Sequence, residues 1–165
     1  MKKIKYSNPL SLLNQKGFSL IELIIILVII GIMIAASSSR LKDITTNARV
    51  GASINQITGD IDQAKTISMS MRSQIQIIFN QNNETYTIYK DGILYNDFPG
   101  SENGIVNLLG DDNDADVDIT SVSLNGSNTL TFDKWGNCLQ SGTIVLNNDR
   151  QIQIKSLTGY WEIIN

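Results

Sequence analysis

Few side chains of this 165-residue chain could do chemistry near neutral pH. It has no histidine, and its one cysteine, Cys138, has no second cysteine with which to form an intrachain disulfide. Catalysis by a Cys–His or Ser–His pair is therefore excluded, as is a metal site built on histidine. No phosphate-binding loop or pair of acids in a defined frame is present either. We therefore expect no enzyme activity and a buried, apolar role for Cys138, with an intermolecular or reactive thiol as the alternative.

Alternating aspartates form a candidate cation site. Short acidic side chains at every second position can direct several oxygens at a calcium ion. However, Val117 occupies the position where such a loop needs glycine for its sharp turn, and the usual distal glutamate is absent. A solvated acidic turn before a strand is the favoured interpretation, and calcium binding is the alternative. The candidate ligands are Asp112, Asp114, Asp116 and Asp118.

One carboxylate lies inside a long apolar run. The run extends from Phe18 to Ala36, and Glu22 is its only charged residue. As a helix rising 1.5 Å per residue it would be roughly 28 Å long, close to the hydrocarbon thickness of a bilayer. A carboxylate in that setting is costly unless it has a partner. The lysines that precede the run should keep its start in the cytoplasm; they are Lys2, Lys3, Lys5 and Lys16.

The elements that must position these residues are one long helix and a set of strands. After Ala36 the sequence becomes polar but keeps apolar residues at steps of three to five, which predicts a continuous helix from about Phe18 to about Arg72. The apolar stripe comprises Leu41, Ile44, Ala48, Ala52, Ile57, Ile61, Ala64 and Met71, with Ile54 and Ile67 beside it.

The pattern changes to a period of two at Gln74, which is typical of strands. Turn residues separate the strands, for example Asp91-Gly92 and Asn125-Gly126. The predicted fold class is therefore α+β, a long N-terminal helix followed by an antiparallel β-sheet domain. The predicted strands are 74–79, 85–89, 92–95, 104–109, 117–124, 129–132, 143–146, 151–155 and 160–163.

The segment Lys16-Gly17-Phe18-Ser19-Leu20-Ile21-Glu22 resembles the class III leader of type IV prepilins and type II secretion pseudopilins. The resemblance implies that a prepilin peptidase cuts between Gly17 and Phe18 and methylates the new amine of Phe18. Glycine suits this position because an extended backbone must enter a membrane protease without a side chain in the way. It also implies that Glu22 pairs with the terminal amine of a neighbouring subunit as a filament grows, since each charge alone would be costly in lipid.

Two other interpretations of the N-terminal segment compete with this one. The first is an ordinary secretory signal peptide cleaved near Ala35-Ala36-Ser37. However, the apolar run exceeds the ~7–15 residues of such a signal, and Glu22 would disturb it. The second is a plain membrane anchor in which Glu22 has no partner.

A pilin helix followed by many short strands is similar to the GspH/FimT type of minor pilin or pseudopilin. Weaker matches follow in the second half of the chain, at Thr131-Phe132-Asp133 with Gly136, at 142–146, at 150–154 and at Gly159. The resemblance implies a leader peptide at 1–17, a transmembrane or filament-core half of the helix at 18–39, an amphipathic half at 40–72, and a β-rich globular domain at 73–165.

The resemblance also implies a function and a location. The chain would be a minor pilin or pseudopilin, held by a single span in the inner membrane with its globular domain in the periplasm. After processing it would join other pilins through its N-terminal helix, at or near the tip of a pilus or pseudopilus, and prime assembly. The alternative function is a binding module at the tip that captures DNA, a surface or a secreted substrate.

The charge balance argues against DNA as a partner. Removal of the leader takes away four lysines and leaves 9 basic and 16 acidic side chains, a balance of −7. Some FimT-like proteins bind DNA through arginines after a C-terminal glycine, but here Gly159 is followed by Tyr160-Trp161-Glu162. Arg150 and Lys155 remain the candidate nucleic-acid contacts. Trp135, Tyr160 and Trp161 could stack on bases, but we assign them to the core or to subunit contacts.

Overall fold

The computed structural model describes residues 17–108 and 117–164, with the backbone alone for residues 37–43. Helix α1 spans Leu20–Met71, 52 residues. It ends one residue before the predicted boundary, where Arg72 adopts a positive φ of 51° and the Ser73 amide donates to the Ser68 carbonyl at 3.2 Å. This bond spans the last turn and satisfies a carbonyl that the helix leaves free.

The predicted apolar stripe of α1 is correct only in its middle part, since Ile44 near its start and Met71 at its end are exposed. Ile57, Ile61 and Ala64 are buried as predicted. Ala48 and Ala52 are exposed as well, and the buried face instead includes Val50, which lies outside the predicted stripe, and Ile54, which is predicted to lie beside it. The step from Ala52 to Ile57 is five residues, or about 500° of helical rotation, which moves a side chain off the face. Steps of three and four from Ile57 lead back to Ile54 and Val50 instead.

The strands form two antiparallel sheets. The first has the order β3-β2-β1-β6, with β4 also paired to β2, and the second has the order β5-β7-β8-β9. This arrangement confirms the predicted α+β class. The strands are β1 (Ile75–Asn80), β2 (Thr85–Lys90), β3 (Ile93–Leu94), β4 (Ile105–Asn107), β5 (Ile119–Leu124), β6 (Thr129–Phe132), β7 (Gly142–Leu146), β8 (Arg150–Ile154) and β9 (Trp161–Ile164).

The chain divides into two compact units, residues 1–41 and 42–165. In the second unit, the buried stripe of α1 joins the inward-facing residues of both sheets in one hydrophobic core. Each large apolar side chain that is fully buried contributes roughly 1.5–3 kcal/mol to folding. The largest fully buried side chains on the strands include Phe79, Tyr86, Phe132, Ile75, Ile77, Ile88, Ile119, Leu124 and Leu130.

In the first unit, α1 carries a dense set of exposed apolar side chains. From Phe18 to Ile34 the large apolar residues are between 43% and 77% exposed. Within the part of the chain that the structure describes, no helix meets the combined length and hydropathy that a membrane span requires.

Candidate functional site

The predicted cleavage site lies in open backbone just before α1. Gly17, Phe18 and Ser19 precede the helix and are exposed, and Phe18 is 74% accessible. A side chain added at Gly17 would meet no atom within 4 Å. The Gly17–Phe18 peptide bond is therefore non-helical and reachable, as proteolysis requires.

Ser19 marks the boundary between this open segment and the helix. Its carbonyl accepts the amide hydrogen of Leu23 at 3.2 Å, which is the first intrahelical bond and places Ser19 at the N-cap. Glu22 follows three residues later, in the first turn of α1. Ser and Glu at this spacing form the sequence of a capping box. A carboxylate here also interacts favourably with the positive end of the helix dipole, worth about 0.3–1 kcal/mol at an exposed position.

Cleavage after Gly17 would place a new charge beside Glu22. Phe18 would carry a terminal amine one residue before the N-cap, and Glu22 lies one turn further along. The positive amine adds to the positive end of the helix dipole. It would therefore attract the Glu22 carboxylate, whether the amine and the carboxylate belong to the same chain or to neighbouring subunits. The assignments of Gly17 and Phe18 to processing, Phe18 to methylation and Glu22 to assembly remain predictions.

Of the candidate calcium ligands, only Asp118 is described; Asp112, Asp114 and Asp116 lie outside the described residues. The Asp118 carboxylate accepts the Thr120 hydroxyl at 2.9 Å, and its amide donates to the Asn147 side chain at 2.8 Å. Across residues 17–108 and 117–164, no group of three or more ligating side chains could hold a metal ion. Calcium binding by this segment therefore remains a prediction.

Glu84 is a carboxylate near Asp118 that no sequence pattern singles out. It accepts the Ile119 amide hydrogen at 2.5 Å, just after Asp118 in the chain. Burial raises the pKa of Glu84, the Ile119 hydrogen bond lowers it in part, and the charge of Asp118 raises it further. Glu84 thus holds the start of β5 against the β1–β2 turn. No periodicity or motif predicts this contact, because the two residues are 35 positions apart.

The candidate nucleic-acid contacts are not brought together. Arg150 begins β8 and Lys155 follows its end, so they are roughly 16 Å apart along the strand. The Lys155 ammonium lies 3.3 Å from the Glu162 carboxylate and 5.4 Å from the Tyr160 ring centre. Its charge is therefore partly balanced by an acid within the same segment.

The three aromatic candidates have different environments. Trp161 is half-buried, packs against the core and donates its indole N–H to Asp62 at 3.2 Å. Tyr160 and Trp135 are 57% and 60% exposed. The assignment to the core is thus supported for Trp161 and is wrong for Trp135 and Tyr160, whose predicted role in subunit contacts remains open.

Two further groups outside the N-terminal segment have shifted pKa values. Burial raises the pKa of the Cys138 thiol, which donates to the Gln140 carbonyl at 3.1 Å, and this confirms the buried position predicted for Cys138. Burial also raises the pKa of Asp60, and a hydrogen bond from Tyr86 lowers it in part. The Tyr86 hydroxyl donates to Asp60 at 2.5 Å and joins α1 to β2. Both groups are inside the fold and are explained by packing.

Comparison with known proteins identifies the N-terminal segment. Residues 12–38 match the family model of the prokaryotic N-terminal methylation motif. Searches of curated proteins and of solved structures each found no match. The matched range contains the open Gly17–Phe18 bond, the N-cap Ser19 and the acid Glu22. The chain therefore carries the methylation motif of type IV pilin-like prepilins, whose leader a prepilin peptidase removes.

Proposed function

We propose that this chain is a structural subunit of the minor pilin or pseudopilin kind, most similar to the GspH/FimT type. The observation that carries the proposal is the exposed, non-helical Gly17–Phe18 bond at the start of an apolar helix, within the methylation motif. The subunit performs no chemistry of its own and is the substrate of prepilin peptidase. After processing it joins other pilins at or near the tip of a pilus or pseudopilus and primes assembly.

The exposed apolar surface of α1 supports this role. The large side chains from Phe18 to Ile34 are exposed along the helix, and water is a poor solvent for such a surface. Under the proposal, residues 18–39 hold the precursor in the inner membrane, with the globular domain in the periplasm, and later pack among the helices of neighbouring subunits. Glu22 then pairs with the terminal amine of a neighbouring subunit.

The deciding experiment is intact mass and N-terminal sequencing of the membrane-extracted protein, with and without active prepilin peptidase. We expect a chain that begins at methylated Phe18 only when the peptidase is active. A chain that keeps residues 1–17 in the presence of peptidase would overturn the proposal. Cleavage near Ser37 regardless of peptidase would instead identify an ordinary secretory signal peptide.

Matched variants separate processing from assembly. Gly17→Leu should block cleavage, because a bulky side chain would occupy the position that glycine leaves open. Gly31→Leu is the control, since it makes the same substitution at a glycine that also has no atom within 4 Å. Glu22→Gln should be processed normally but recovered in sheared filaments at a reduced level. Normal recovery of Glu22→Gln would refute the role of the acid in assembly.

A further inference from the structure

A cleft opens between α1 and the loop that joins β8 to β9. Its volume is about 770 Å³. Small-molecule sites in proteins usually enclose roughly 300–1,000 Å³, so the cleft is large enough to hold a ligand. All of its lining residues lie in the compact unit 42–165. The side chains that matter below are Asp62 and Lys65 on α1, Lys155 and Thr158 on the loop, and Tyr160 and Trp161 at the start of β9.

Hydrogen bonds hold the loop wall of the cleft in one shape. The Lys155 amide donates to the Tyr160 carbonyl at 2.8 Å, and the Gly159 amide donates to the Lys155 carbonyl at 3.0 Å. Leu157 exchanges two backbone hydrogen bonds with Cys138, at 2.7 Å and 3.1 Å. The loop therefore presents Tyr160 from a fixed backbone, and a ligand would not have to order it on binding.

Two further hydrogen bonds tie this wall to α1. The Lys65 ammonium donates to the Thr158 carbonyl at 2.6 Å, and the Trp161 indole donates to the Asp62 carboxylate at 3.2 Å. The Lys65 ammonium has further hydrogens to donate. The second oxygen of Asp62 accepts from none of the described residues. Both side chains can therefore bind a ligand while they connect the two walls.

The charges around the cleft balance one another. The Lys155 ammonium lies 3.3 Å from the Glu162 carboxylate. Asp62 and Lys65 are three positions apart on α1, so they lie on the same face of the helix. Two basic and two acidic side chains sum to zero. DNA binds through cations whose charge draws phosphates, so it fits this cleft poorly, and a ligand without net charge fits it better.

Tyr160 gives the cleft an exposed aromatic ring. The Lys155 ammonium lies 5.4 Å from the ring centre, but one ammonium can cover only one face, and the side chain is 57% exposed. The faces of an aromatic ring carry partial negative charge, so they attract weakly positive C–H groups. A sugar ring combines a face of C–H groups with a rim of hydroxyls that both donate and accept. The cleft offers an aromatic face, a carboxylate acceptor and an ammonium donor for these groups.

We propose that this cleft binds a neutral saccharide. Tyr160 stacks on the C–H face of a sugar ring, Asp62 accepts from its hydroxyl groups, and Lys65 donates to them. The inference goes beyond the proposed function and does not rest on it, because binding requires no assembled filament. A single site on one subunit is enough for capture, so the inference is compatible with a place at or near a filament tip.

Trp161 provides the assay, because its indole lies in the cleft. Trp135→Phe leaves Trp161 as the only tryptophan of the chain. The full chain with this substitution, in a detergent without a sugar headgroup, is titrated with chitotetraose, cellotetraose or maltotetraose. We expect a saturable change of Trp161 fluorescence with at least one of the three, with a dissociation constant of about 1 mM or below. The absence of a saturable change with all three would overturn the proposal.

Variants at Tyr160 test the stacking contact. Tyr160→Ala should weaken binding by about tenfold or more, because it removes the ring, whereas Tyr160→Phe should keep most of the affinity. Trp161 emission without ligand checks that each variant keeps the cleft intact. If Tyr160→Ala alters that emission, Tyr160→Leu removes the ring while keeping apolar bulk, and it should weaken binding in the same way. Unchanged affinity in the variant that keeps the cleft intact would refute the role of Tyr160.

Trp135→Ala is the matched control, and it also leaves Trp161 as the only tryptophan. Trp135, in the turn formed by residues 133–137, is 60% exposed, and its ring centre lies 5.4 Å from the Lys134 ammonium. Tyr160 has nearly the same exposure and the same distance to a lysine, but it lines the cleft. Trp135→Ala should therefore bind as Trp135→Phe does. Equal losses in Trp135→Ala and Tyr160→Ala would overturn the proposal.

Salt dependence and charged ligands separate a saccharide site from an anion site. Binding of a neutral saccharide should change little as salt rises, because no net charge is involved. Tighter binding of single-stranded DNA or of a uronic acid oligomer than of any neutral saccharide, weakening as salt rises, would overturn the proposal. Peptidase processing is a separate measurement, since saccharide binding by a chain that is never processed would refute the proposed function and leave this inference intact.

Discussion

The buried hydrogen bond between Tyr86 and Asp60 leads to the most quantitative prediction. Tyr86 is fully buried, Asp60 is 9% exposed, and the hydroxyl donates to the carboxylate at 2.5 Å. Tyr86→Phe removes the hydroxyl group, so the buried Asp60 carboxylate loses this hydrogen bond. Because a hydrogen bond to a charged group contributes about 1.5–3 kcal/mol, we expect the free energy of unfolding to fall by about 2–3 kcal/mol at pH 7. The midpoint of thermal unfolding should fall by roughly 5–10 °C.

The loss should depend on pH in a defined direction. Burial raises the pKa of Asp60 above its ordinary value, and the Tyr86 hydrogen bond lowers it in part, so Tyr86→Phe should raise it further. A carboxyl with a raised pKa in the folded state keeps its proton to higher pH than in the unfolded state. Its ionisation therefore destabilises the fold as the pH rises through the folded pKa. The effect of Tyr86→Phe should be largest above that pKa and should shrink as the pH falls toward 4, to the ~0.5–1.5 kcal/mol of a neutral hydrogen bond.

Thermal unfolding of the full chain, followed by near-ultraviolet circular dichroism at pH 7 and near pH 4, measures both effects. Tyr89→Phe is the matched control, because Tyr89 lies on the same strand but is half-buried and its hydroxyl bonds to none of the described residues. This variant should change the unfolding free energy by less than about 0.5 kcal/mol. Equal losses in the two variants, or a Tyr86→Phe loss that grows on acidification, would refute the reasoning.

Three further predictions concern single positions in the β-rich unit. Gly142→Ala should lower the free energy of unfolding, measured by urea titration, by about 3 kcal/mol or more, because its new methyl group would overlap the Ser123 carbonyl. Gly126→Ala is the control: its Cβ would meet open space, but its φ is 80°, so the variant should lose only the ~1–2 kcal/mol of backbone strain. Cys138 should resist a disulfide-exchange reagent in the folded protein and react only as the chain unfolds, because burial raises the pKa of its thiol; fast labelling under native conditions would contradict this. Asn137 and the turn amides lower the pKa of Asp133, so its carboxylate stabilises the fold above the ordinary carboxyl pKa and this stabilisation is lost as the pH falls. Asp133→Ala should remove the effect. A difference in unfolding free energy between the variant and the wild type that does not change with pH would contradict this.

The sequence predicts the elements of this fold better than their assembly. Periodicity locates one helix ending near Arg72 and strands close to the observed ones, because both signals are local. The division into two sheets is not predictable in this way, because it depends on pairings between distant strands, such as β1 with β6. The predicted face of α1 is wrong at Ala48 and Ala52 because alanine fits on a buried or an exposed face equally well.

The candidate sites divide in the same way. The methylation motif is contiguous in sequence, so the order of its residues alone is enough to recognise it. The contact between Arg72 and the Trp135 ring has no such signal, because the two residues meet only when the 133–137 turn packs against the end of α1. Residue type alone makes Trp135 a candidate for base stacking, but its cation neighbours follow from the fold.

The two halves of α1 require different surroundings, and this difference bears on how the subunit would assemble. Between Val50 and Ala64, one stripe of the helix is covered by the protein's own core. From Phe18 to Ile34, large apolar residues occupy all sides, and none of the described residues covers them. Lipid tails and neighbouring apolar helices provide almost the same apolar contact, so the hydrophobic effect hardly favours one over the other. A specific polar contact must then direct the subunit from membrane to filament. Under the proposed function Glu22 is the only charged side chain in that half able to provide it, which is why its neutral variant should be processed yet recovered in filaments at a reduced level.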